Sequence, residues 1–116
     1  MADTSMSGIA PPVKLLIAIF DARDELEGRP LEEVLIHRLE AEGIAGATLI
    51  HGLAGYGAHR GVHRRGLIGL PHDKPTLLLV ADNEHRLRGV IPVVRPMIKE
   101  GILMLVDAEV IPMVTR

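Results

Sequence analysis

The sequence has no cysteine and no tryptophan, and Phe20 and Tyr56 are its only aromatic residues. Without thiols there are no disulfides, no thiolate metal sites and no cysteine nucleophile, a composition that suits an intracellular protein. So few aromatics remove the stacking platforms with which proteins hold single-stranded nucleic acid. Serine is confined to Ser5 and Ser7, leaving no serine nucleophile in the rest of the chain. An excess of one charge is also missing. Thirteen Lys and Arg against fifteen Asp and Glu give a net charge of −2, which argues against a polyanion partner for the whole surface. No apolar run approaches the ~18 residues of a membrane-spanning helix; the longest is Leu15 to Phe20. Residues 1–12 lack the basic start and long apolar stretch of a signal peptide and read as a disordered tail. The expectation is a cytoplasmic protein with no nucleic-acid partner and no direct membrane insertion.

What is present is aliphatic. Hydrophobic residues make up 47% of the 116 and charged residues 24%, the composition of one globular domain, placed at 13–116. Val13 to Phe20 reads as a strand apolar on both faces, and Asp21 to Arg29 as a loop. Pro30 suits a first helical position. Glu32 and Glu33 then lie in the first turn, and Leu31, Val34, Leu35 and Leu39 recur at helical spacing. Gly43 supplies the stop, with Ile44 packing back on Leu39 in a Schellman cap. Ala47 to Leu53 and Thr76 to Ala81 read as further strands. Asp82 or Asn83 caps a second helix striped by Leu87, Val90, Ile91, Val94 and Ile98. Pro92 and Pro96 each cost ~3 kcal/mol in a regular helix interior, so a kink or break is expected near them. Gly101 ends the helix, Ile102 to Val106 forms a fourth strand, and Ala108 to Val114 reads as a short edge strand.

The order β-α-β-β-α-β is that of an α+β, ferredoxin-like sandwich: a four-stranded antiparallel sheet with two helices on one face. Two helices shield only one face of such a sheet, yet its strands are apolar on both. A bare aliphatic face exceeds what a soluble monomer tolerates, so copies of the chain are expected to cover it.

Between the second and third strands lies the segment most suited to a ligand. Gly52, Gly55, Gly57 and Gly61 fall within ten residues, with Arg60, His63, Arg64 and Arg65 close behind. Glycine permits positive φ and close approach to the main chain, and basic groups just beyond make an anion clamp. The long excursion from Gly55 to Pro75 points to a functional or mobile loop. His59 and His63 lie four apart and His72 nine further on, a spacing that could share a metal on a helix. Gly61 and Gly66 argue against that helix, and Asp73 is the one nearby acid. His51, within the second strand, is expected to be hydrogen-bonded, and His37 and His85 to be exposed on helices. No Ser/His/Asp set converges, and the loop does not fit G-x-x-x-x-G-K-(S/T), so no enzyme is expected.

The segments Gly28-Arg-Pro-Leu, Glu42-Gly-Ile-Ala-Gly-Ala-Thr, Gly52-Leu-Ala-Gly-Tyr-Gly and Asp107-Ala-Glu-Val-Ile closely resemble the PII-like family known as domain of unknown function 190. The resemblance covers about residues 13–112 and extends to the PII signalling proteins and the CutA-type proteins. It implies a homotrimer with the sheets facing a three-fold axis. It also implies a small-molecule effector, an adenine nucleotide or other anion, in the cleft between subunits. Gly52, Gly55, Tyr56, Gly57, His59, Arg60 and Gly61 would line that site, since this stretch is similar to the root of the PII T-loop, with Arg60 where PII proteins have lysine. Arg64 and Arg65 would meet a regulated partner, a membrane channel or transporter. Tyr56 is expected to pack at the loop root. Ala58 replaces a basic residue, and only Lys99 stands near where PII proteins place further phosphate-binding groups. These departures weigh against ATP and leave a smaller nucleotide or anion open. The rival reading is a CutA-like metal-binding or purely structural trimer.

Overall fold

The structure, a computed structural model, describes residues 9–57 and 74–114. Its frame is a four-stranded sheet of β1 (Val13–Asp21), β4 (Ala47–His51), β5 (Pro75–Asn83) and β6 (Ile102–Ala108) in the order β4-β5-β1-β6. Every neighbouring pair is antiparallel. Helices α1 (Leu31–Ala41) and α2 (Glu84–Val94) complete the ferredoxin-like α+β fold. Among the described residues no helix is long and apolar enough to cross a membrane.

Alternation along the central strands decides the layering, because successive side chains of a strand point to opposite faces. Leu16, Ala18 and Phe20 of β1, with Leu78 and Val80 of β5, are buried. They pack against Leu31, Leu35 and Leu39 of α1 and Leu87, Val90 and Val94 of α2. The other parity carries Leu15, Ile17 and Ile19, paired across with Ala81, Leu79 and Leu77 on one side and Val106, Met104 and Ile102 on the other. This second face is as aliphatic as the first but has no helix over it. Its members are half-buried on β1 and β5, while Ile50, Ile102, Met104 and Val106 are exposed.

Local chemistry fixes the ends of the helices. Pro30 takes the N-cap position rather than the first helical one, and Leu31 N–H donates to the Asp24 carbonyl at 2.9 Å. At the other end Gly43 has φ 82°, Ile44 N–H donates to the Leu39 carbonyl, and Gly43 N–H donates to the Glu40 carbonyl. This is the Schellman pattern the sequence predicts. Helix α2 is capped by Asn83, whose Oδ1 accepts from Arg86 N–H at 2.8 Å. Pro92 is accommodated inside α2, and Pro96 lies in a 3-10 turn, Arg95–Met97, that follows it. Gly101 has no alternative: a Cβ there would sit 2.4 Å from the Ile19 carbonyl oxygen.

Several sequence expectations need correction. The 21–29 loop contains a small hairpin, β2 (Glu25–Leu26) with β3 (Arg29–Pro30), turned through Glu27 and Gly28 at φ 53° and 82°. Two consecutive positive φ values make the tight turn that suits a two-residue hairpin. Strand β4 stops at His51 rather than Leu53: the next residue, Gly52, donates to the Pro75 carbonyl, but Pro75 has no N–H to return the bond. Strand β5 is longer than expected, running from Pro75 to Asn83. Residues 109–114 form no strand: β6 ends where its partner β1 begins, at the pair Val13 and Ala108. Residues 9–12, assigned by sequence to the tail, lie against the domain. Ile9 is buried and the Pro12 carbonyl accepts from Glu84 N–H at 2.8 Å.

Candidate effector site

The glycine-rich turn leaves the sheet at the end of β4 and faces the start of β5. Gly52 N–H donates to the Pro75 carbonyl at 2.8 Å. A Cβ on Gly52 would come 2.8 Å from Pro75 Cγ, and one on Gly55 would come 3.3 Å from the same atom. Gly52 is therefore required by close approach to the proline ring, Gly55 is held tightly against it, and Gly57 is required by its φ of 113°. Leu53 is fully exposed and the Tyr56 side chain is 95% exposed. The packing expected of Tyr56 at the loop root is thus not made among the described residues. Of the sequence-selected residues, Gly52, Gly55, Tyr56 and Gly57 come together here. His59, Arg60, Gly61, Arg64 and Arg65 lie outside the described residues, as do His63 and His72.

The return end of the excursion is held by a group the sequence reading passed over. Asp21, at the end of β1 and 1% exposed, accepts from the Lys74 backbone N–H at 3.3 Å. Arg23 grips the same carboxylate with two guanidinium contacts of 2.8 and 2.7 Å and adds its own backbone N–H at 2.8 Å. Ala22 N–H donates in turn to the Lys74 carbonyl at 2.7 Å. Burial pushes the Asp21 carboxyl up, but the Arg23 side chain and the two backbone donors outweigh it and bring it down to about 2. The available signal was an acid closing an apolar strand with an arginine two residues on.

Beside the turn, His51 is hydrogen-bonded as expected, with Nε2 at 2.8 Å from Glu32 Oε1. Thr76 Oγ1 donates to that same oxygen at 3.3 Å. His37 and His85 are exposed on their helices. Among the described residues no three His, Cys, Asp or Glu side chains gather to hold a metal. A cleft of about 550 Å³ lies elsewhere, lined by Pro11, Pro12, Asn83, His85, Arg86 and Arg88 among others. It sits at the Asn83 end of β5, whereas the glycine turn meets the Pro75 end. At the glycine turn, Tyr56 and Leu53 are exposed.

The profile of the family described as "Uncharacterized ACR" (DUF190) matches residues 13–110. A UPF0166 protein of Aquifex aeolicus (strain VF5) is 30% identical over 99 residues, which are 84% of this chain and 93% of that protein. UPF0166 protein MJ1524 of Methanocaldococcus jannaschii is 31% identical over 98 residues, 84% of this chain and 90% of that protein. Among solved structures, CPII from Thiomonas intermedia K12, bound to ADP and bicarbonate, matches with a TM-score of 0.60 at 20% identity. The match covers 84% of this chain and 87% of the other, and the likeness is one of PII-like fold.

Proposed function

The chain belongs to the DUF190 family, and from that premise we propose that it is a PII-like regulatory protein. In this reading three copies bury their helix-free sheet faces around a common axis. A small anionic effector, an adenine nucleotide smaller than ATP, seats at the Gly52–Gly57 turn in the cleft between copies, with Arg60 gripping its phosphate. The occupied site favours one conformation of the T-loop-like segment 58–73, which presents Arg64 and Arg65 to a target protein such as a membrane channel or transporter. The protein acts by binding, not by catalysis.

The observation that carries this reading is the uncovered aliphatic face. Ile50 is 45% exposed and Ile102 42%, with Met104 and Val106 beside them, in a chain whose other sheet face packs against both helices. A second copy offers the complementary surface and creates seams in which exposed Tyr56 and Leu53 gain neighbours. Support for the ligand class comes from the main-chain character of the turn and from the ADP held by the similarly folded CPII. Calorimetric titration with ADP, AMP, ATP and bicarbonate tests it. ADP or AMP is expected to bind, and Arg60→Ala to weaken binding about tenfold or more, the scale of a lost charge-assisted hydrogen bond. If no nucleotide binds, the effector assignment falls.

A further inference from the structure

We propose that Glu32 is a positioning residue for the glycine turn: its carboxylate latches together the strand that enters the turn and the strand that follows segment 58–73. His51 is the last residue of β4 and Thr76 the second of β5, and the two are register partners. One oxygen of Glu32, reaching over from α1, lies 2.8 Å from His51 Nε2 and accepts from Thr76 Oγ1 at 3.3 Å. An ionised carboxylate only accepts, so Nε2 carries a hydrogen and donates it. Thr76 is fully buried, and a buried hydroxyl needs a partner, which Glu32 supplies.

The two acids of the first turn of α1 differ in a way that helix formation does not require. Glu33 is exposed, where a favourable place near the helix N-terminus accounts for it. The Glu32 side chain is only 19% exposed and is turned toward the strands. What it holds is passed directly to the site: the residue after His51 is Gly52, bonded to the Pro75 carbonyl, and the residue before Thr76 is Pro75, against which Gly52 and Gly55 rest. Strand β4 packs chiefly against β5 and α1. From α1 the charged group meeting His51 is Glu32; from β5 the facing residue is the neutral Thr76.

Amide hydrogen exchange on the whole, ligand-free chain tests the latch. Glu32→Ala is expected to speed exchange of the Gly52 amide roughly three- to tenfold, the scale of one hydrogen bond, while the central β1 amides of Leu16, Ala18 and Phe20 stay unchanged. Glu32→Gln keeps an acceptor oxygen and should recover most of the protection. Unchanged exchange at Gly52, or equal acceleration throughout β1, overturns the proposal. A second measurement, ADP affinity of Glu32→Ala, rests on the function proposed above and should fall with the number of sites unchanged. If the wild type binds no ADP, that function fails while the exchange data still decide for or against the latch.

Discussion

Asp21 shows how one side chain ties distant parts of the chain. Its carboxylate joins the end of β1 to Lys74, 53 residues away in sequence. Its folded value of about 2 lies below the ordinary 3.8, so folding favours the ionised form. The stabilisation is fully present above about pH 4 and is lost as pH falls toward 2. Linkage puts it at about 2 kcal/mol, from 1.36 kcal/mol for each pH unit of displacement. Urea denaturation from pH 6 down to pH 2 should show that loss in the wild type, and Asp21→Asn should be less stable at pH 6 and flatter below pH 4. An identical pH dependence in the variant would show that the carboxylate is not the source. The Asp21–Arg23 half of this clamp leaves a local trace, an acid and an arginine two residues apart. Its contact with Lys74 and the Glu32 latch were not legible, because those partners are 19 to 53 residues apart and follow no period.

At the level of elements, legibility followed locality. The Gly43 stop and the Asn83 cap were readable because each is decided by residues within one helical turn. The hairpin at Glu25 to Pro30 was missed because two residues of strand on each side leave no alternation to detect. Of the candidate site, Gly52, Gly55 and Gly57 were recognisable as glycines but not for their reason, which is Pro75 in the case of the first two. Helix α2 holds one glycine with no such reason: Gly89 is exposed, and a Cβ there would meet nothing within 4 Å. Gly89→Ala should therefore stabilise the chain by about 0.5–1 kcal/mol through the unfolded state and helix propensity, read as a higher Tm. A lower Tm would mean that the backbone at Gly89 is approached closely in the assembled protein.

For the whole molecule the decisive quantity is the uncovered face of the sheet. Met104 lies on its edge strand β6, beside Ile17 of β1. In Met104→Lys the long side chain can reach water from an edge position, so the single chain keeps its fold, but a charge buried between copies is costly. Sedimentation should give an oligomer for the wild type and a monomer for the variant, with unchanged circular dichroism. A variant that stays oligomeric would place the contact between copies elsewhere. The strand order has one more consequence, for the birth of the protein. Among the described residues, strand β1 is paired by residues 75–83 and 102–108, and β4 by residues 75–83. Until residues 75–83 emerge from the ribosome, none of these ladders has its mate. The greasy stretch from Leu15 to Phe20 waits until then for its strand partners. Such late, long-range pairing makes for slow folding and for a stage at which a chaperone would find its grip.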